Sequence, residues 1–105
     1  MNSRPWADFW NASDRIVLAP MEGVVDAMMR DVLTSVGGVD LCVTEFIRVT
    51  DRLLPDSEFR KDWPEIASGG KTPSGVPVLV QLLGGQTEPI AQNAKRAIEL
   101  GAAGI

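Results

Sequence analysis

Apolar residues fall along this chain in short bursts, and the spacing inside each burst predicts its conformation. Ile16 to Ala19 is a continuous apolar run ended by Pro20 and Gly23, the pattern of a short buried strand. Asp26 then supplies an N-cap. Met28, Met29, Val32, Leu33 and Val36 recur at helical spacing, so a helix is expected with that face in the core and Gly37-Gly38 at its end. A second strand is predicted over Val39 to Phe46, and a turn or short helix over Ile47 to Pro55. Asp56 to Gly75 carries a charge cluster, Pro64, Gly69-Gly70 and Pro73, and reads as a long solvated loop. A third strand spans Val76 to Gly84. Thr87 caps a second long helix whose inner face is Ile90, Ala94, Ala97 and Ile98, with Gly101 as its C′ residue. The final residues, Ala102 to Ile105, read as the start of a fourth strand.

The strands are apolar on both faces. In the third, Val78, Val80 and Leu82 alternate with Leu79, Gln81 and Leu83, as in a parallel sheet covered by helices. Two α/β architectures fit: a doubly wound sheet, or the N-terminal part of a (β/α)8 TIM barrel, with about three β/α units and the start of a fourth strand. A complete barrel takes roughly 250 residues, and this chain has 105. An opening strand at Ile105 favours a fragment. Residues 1–15 form an N-terminal extension in which Trp6, Phe9 and Trp10 suit one face of a short helix docked on the domain.

Composition narrows the function. The formal net charge is −4, which argues against a protein that grips nucleic acid by bulk charge alone. The chain has no histidine, so it holds no imidazole-based triad or zinc site. The one cysteine, Cys42, cannot form an intramolecular disulfide; it is expected to be a buried packing residue in a reducing compartment. The N-terminus has no apolar signal core and no run approaches the ~20 residues that span a bilayer. A cytoplasmic protein without a membrane partner is the expectation.

In either architecture ligands bind at the carboxyl ends of the strands. The first strand ends in Pro20-Met21-Glu22-Gly23, the second in Thr44-Glu45-Phe46 with Arg48 beyond, and Gln81 interrupts the third. An amide buried in such a strand needs partners, which a planar heterocycle offers. The bland readings are an ordinary turn at Pro20 and Gly23, a Glu45–Arg48 ion pair at the rim, and a Gln81 that bonds neighbouring backbone. No Gly-x-Gly-x-x-Gly follows the first strand, which weighs against a dinucleotide-binding fold.

Several ordered stretches carry a family resemblance: "LAPMEGVVD" at 18–26, "DLCVTEFIRV" at 40–49, "TPSG" at 72–75, "VLVQLLG" at 78–84 and "NAKRAIELGAAGI" at 93–105. Over Ile16 to Ile105 the chain resembles the start of bacterial tRNA-dihydrouridine synthases, most closely the C-type members, which act on uridine 16 of the tRNA D-loop. The resemblance implies that 16–105 is the N-terminal portion of an FMN-binding TIM-barrel domain, with NADPH as reductant and tRNA as substrate. It further implies that Pro20, Met21 and Glu22 line the flavin, that Gln81 bonds the polar edge of its ring, that Arg48 contacts tRNA, and that Glu45 shapes the pocket floor and is a candidate substrate contact. The family's proton-donor cysteine belongs to an Asn-x-Gly-Cys-Pro run expected beyond Ile105, so no catalytic residue is expected within these 105 and the fragment alone is expected to be inactive. Two other functions fit the residues: another FMN barrel, similar to dihydroorotate dehydrogenases, and a non-enzymatic half barrel that self-associates through open sheet edges.

Overall fold

The computed structural model describes residues 14–105; Trp6, Phe9 and Trp10 lie outside the described residues. Strands β1 (Val17–Leu18), β2 (Leu41–Val43), β3 (Ile47–Arg48), β4 (Val78–Leu79) and β5 (Leu82–Leu83) alternate with helices α1 (Ala27–Val36), α2 (Asp56–Asp62) and α3 (Thr87–Glu99). A 3-10 turn, Pro64–Ser68, follows α2.

All strand pairs are parallel. β1 pairs with β2 and β2 with β4, while β3 pairs with β5. β2 and β3 are halves of one strand, and β4 and β5 are halves of its neighbour. At the far side Val80 N donates to the Gly104 carbonyl at 3.1 Å, so the chain returns where a fourth strand was predicted. Spatial order therefore follows chain order.

One face of the sheet is closed. Cys42, Ile47, Val78 and Val80 pack there against Phe59, Trp63 and Ala97 from the helical layer. Sequential strand order with the helices on one face is consistent with part of a barrel wall, whereas a doubly wound sheet reverses its order and carries helices on both faces. The opposite face is open apart from Leu41, which is buried there, so the expectation of strands covered on both sides holds in full for one side only. Val17 and Leu83 are both exposed on it.

The break in the strands has a specific cause. Cys42 N bonds the Pro77 carbonyl and Thr44 N bonds the Leu79 carbonyl, partners 35 residues apart; Ile47 N bonds the Gln81 carbonyl and Val49 N that of Leu83, partners 34 apart. The second strand carries one extra residue between Thr44 and Ile47, a β-bulge. The core-facing residues shift phase across it, from Cys42 and Thr44 before to Ile47 and Val49 after. Ile47 and Arg48 thus continue the strand, where a turn or short helix was expected.

Three other expectations are corrected. Asp56–Gly75 is largely helical, not a solvated loop. Phe59 and Trp63 stand four residues apart and are wholly buried, enough apolar anchoring to dock a seven-residue helix despite its charges. Next, α1 half-buries only Met29 and Leu33 of its apolar stripe: Met28 is 76% exposed, Val32 51% and Val36 80%. Its inward line is Arg30 and Thr34. The Arg30 guanidinium forks onto Glu65, Nε to Oε2 at 2.7 Å and Nη2 to Oε1 at 2.9 Å, and Nη2 also donates to the Asp62 carbonyl. Thr34 Oγ1 bonds Thr72 and Ser74 of the "TPSG" stretch. Finally, α3 buries Ala97 and half-buries Ile90 and Ala94 as expected, but Ile98 is 51% exposed and Pro89 and Asn93 are turned inward as well. Asn93 accepts from Leu54 N and donates to the Arg52 carbonyl, tying α3 to the segment before α2.

The caps follow the sequence more closely. The Asp26 carboxylate accepts from Met29 N at 2.9 Å, and α1 ends at Gly37 with φ at 102°. Gly101, at φ 110°, follows α3, and Ala102 N reaches back to the Ala97 carbonyl. α3 begins at Thr87 with Gln86 at its N-cap, one residue ahead of the expected cap.

Candidate active-site rim

The three unusual strand ends lie on one rim of the sheet. After β1 the chain folds back on itself: the Met21 carbonyl accepts from both Val24 N and Val25 N, and Gly23 adopts φ 76°, which a residue with a Cβ resists. This turn exposes Met21 and Glu22.

The bulge supplies the next part. Glu45 Oε2 accepts from Gly23 N at 2.8 Å, joining the second strand end to the turn after the first. Thr44, fully buried, accepts from Gln81 N through its hydroxyl at 3.0 Å. The bulge removes a regular ladder partner for that N–H, and the side chain replaces it. Thr44 therefore ties the middle strand to the third while Glu45 ties it to the first. The sequence offered a faint signal for Thr44, a hydroxyl in an apolar strand, but nothing that fixed its partner.

The same extra residue sets the direction of Arg48. Arg48 pairs in register with Leu83, and paired residues share a face of a sheet. Leu83 shares its face with Gln81, two residues back. Both Arg48 and Gln81 are exposed on this open side. Without the bulge Arg48 would fall in phase with Cys42 and point into the helical layer. Its guanidinium stands 5.9 Å from the Phe46 ring centroid. Glu45 and Arg48 do not pair with each other; each has a separate partner.

Gln81 is not buried, contrary to the expectation of a buried amide. Its backbone is bonded on both sides, while its side chain makes no hydrogen bond to any described residue. A free amide beside the apolar Leu79 on an open face fits the edge of a planar heterocycle such as a flavin ring, which needs hydrogen bonds at its rim and apolar contact on its plane.

Close backbone approach shapes the neighbouring ground. A Cβ on Gly84 would stand 2.5 Å from the Val49 carbonyl oxygen. The open hollow beside it, about 560 Å³, is lined by Arg48, Thr50, Leu83, Gly84 and Gln86 among others. Cys42 takes no part in the rim. It is buried in the core, and burial pushes its thiol up to about 11, which keeps it protonated and unreactive. Among the described residues no group of acidic or sulfur side chains could hold a metal, and no helix is long and apolar enough to cross a membrane.

A parallel wall whose strand ends carry "APMEG", "TEFIR" and "QLL" defines the class. The family described as dihydrouridine synthase (Dus) matches residues 17–105, and the chain belongs to it. Its relatives sharpen the match. The chain is 60% identical over 91 residues to the tRNA-dihydrouridine(16) synthase of Shewanella oneidensis, covering 87% of this chain and 29% of that protein. It is 58% identical to the protein of the same name in Vibrio cholerae, and 52% identical to that of Escherichia coli. The chain spans less than a third of the length of these relatives.

Proposed function

We propose that the full-length protein is a flavin-dependent tRNA-dihydrouridine synthase that reduces uridine 16 of the D-loop, and that these residues form one wall of its (β/α)8 barrel. The observation that carries this reading is the identity of 52–60% to proteins named tRNA-dihydrouridine(16) synthase, over a segment that includes all three strand ends. When bound, FMN reduced by NADPH supplies the hydride for the uracil ring. The chain's own residues bind and orient. Pro20, Met21 and Glu22 form one side of the flavin pocket. Gln81 presents its free amide to the polar edge of the ring. Arg48, held on the open face by the bulge, meets the tRNA. The target base must leave the RNA stack to reach such a site. The proton donor is the cysteine expected beyond Ile105, since Cys42 is buried in the opposite layer. The soluble cytoplasm, where tRNA is processed, is the expected compartment.

The test is direct. Full-length protein, NADPH and an unmodified tRNA transcript are combined and dihydrouridine is mapped by position. Dihydrouridine at position 16 and a yellow protein are the expected result. Turnover of free dihydroorotate with no change in tRNA would instead indicate a small-molecule flavoenzyme. A specific oligomer of the 105-residue chain, with a flavin-free and inactive full-length protein, would point to an assembly module.

A further inference from the structure

The rim contains a carboxylate that accepts from backbone and forms no ion pair among the described residues. Glu45 belongs to the bulge, the one irregular place in an otherwise regular pair of strands. Its Oε2 is spent on Gly23 N at 2.8 Å, although an arginine lies three residues away in sequence. Gly23 is the residue that lets the turn after β1 reverse, and Met21 and Glu22 immediately precede it. The turn's other internal bonds converge on the Met21 carbonyl, from Val24 N and Val25 N, which fixes its far half. Gly23 N is the donor that ties the turn to the neighbouring strand.

We infer that Glu45 is a positioning residue: from the bulge of the second strand its carboxylate holds the Pro20–Gly23 turn in place as a wall of the cofactor pocket. This inference rests on the flavin reading of that turn. It reassigns Glu45 from a candidate substrate contact to the framework of the pocket. It also gives the bulge a purpose beyond turning Arg48 outward, because the extra residue frees the Glu45 side chain to reach sideways to the first strand end.

Two readouts on the full-length protein test it. Amide hydrogen exchange at Gly23 reports the bond itself, with no flavin present. The FMN dissociation constant, measured by flavin fluorescence, reports the wall. Glu45→Ala is expected to speed Gly23 exchange and weaken FMN binding about tenfold, the order expected for a lost hydrogen bond to a charged group. Glu45→Gln keeps an oxygen acceptor in the same place and is expected to restore both towards wild type. Faster Gly23 exchange with unchanged FMN affinity would overturn the positioning role. So would a Glu45→Gln protein as impaired as Glu45→Ala, because the charge rather than the bond would then matter. A wild-type protein that fails to bind FMN would overturn the flavin reading itself, a result distinct from both.

Discussion

The two faces of this small sheet use polar residues in opposite ways. On the helical side the main buried polar groups are matched: the Arg30 fork closes on Glu65 through Nε and Nη2, and Asn93 is bonded through both ends of its amide, while Arg30 Nη1 and Trp63 Nε1 are left without a partner among the described residues. Outside that layer, at the edge of the helices, Arg96 similarly grips Asp56 with two bonds, which holds the aspartate below the usual carboxylate range. On the open side, among the described residues, Gln81 has a free amide and Arg48 meets only an aromatic ring. The first face uses its polarity to fix the fold; the second uses Glu45 in the same way but leaves Gln81 and Arg48 for the flavin and tRNA contacts proposed above. The bulge at Thr44–Phe46 is the boundary device, because it decides which residues of the second strand fall on which face.

The largest effect that separates the faces belongs to the buried pair. Arg30→Ala leaves Glu65 buried without a partner and is expected to destabilise the fold by about 3–5 kcal/mol, measured by denaturant unfolding. Replacing both residues by apolar ones of similar volume, Arg30→Met with Glu65→Leu, is expected to recover most of that loss. If the double variant is as unstable as the single one, the pair does more than satisfy itself. Next comes the close approach between the strand ends. Gly84→Ala forces a Cβ onto the Val49 carbonyl and is expected to cost about 1–3 kcal/mol. On the open face the loss is functional. Arg48→Ala in the full-length protein is expected to lower tRNA turnover about tenfold or more, as for a lost charged hydrogen bond, while NADPH oxidation at the flavin continues. Equal loss of both half-reactions would move Arg48 from the substrate to the framework. Smallest is the outer stripe of α1: Met28→Gln in the 105-residue chain is expected to change stability by less than about 0.5 kcal/mol, because the side chain is already in water.

The contrast also explains what sequence reading reached. The order of the three main strands and two long helices, the caps at Asp26 and Gly101, and the polar residues at the strand ends are all legible, because each rests on local spacing or on one residue's conformational preference. Residues 56–62 were read as loop because five of seven side chains are charged, and the two aromatics that dock the segment signal only through long-range contact. The α1 face was misassigned for a related reason. Hydrophobic periodicity places the inward side by apolar residues, whereas here a guanidinium and a hydroxyl occupy it, satisfied by Glu65 and Thr72 from residues more than 30 positions away. The bulge was invisible in the same way. One extra residue has no meaning in a single strand; it exists only against its neighbour's register. Gln81 was singled out correctly as an oddity in its strand, but its exposure depends on which face the helices cover.

The separation of a fold face from a function face is tested most directly by flavin content at constant stability. Gln81→Ala in the full-length protein is expected to weaken FMN binding by about 1–3 kcal/mol, with an unfolding midpoint of the flavin-free protein that matches wild type. Undiminished flavin affinity, or a loss of affinity that follows an equal loss of fold stability, would contradict it.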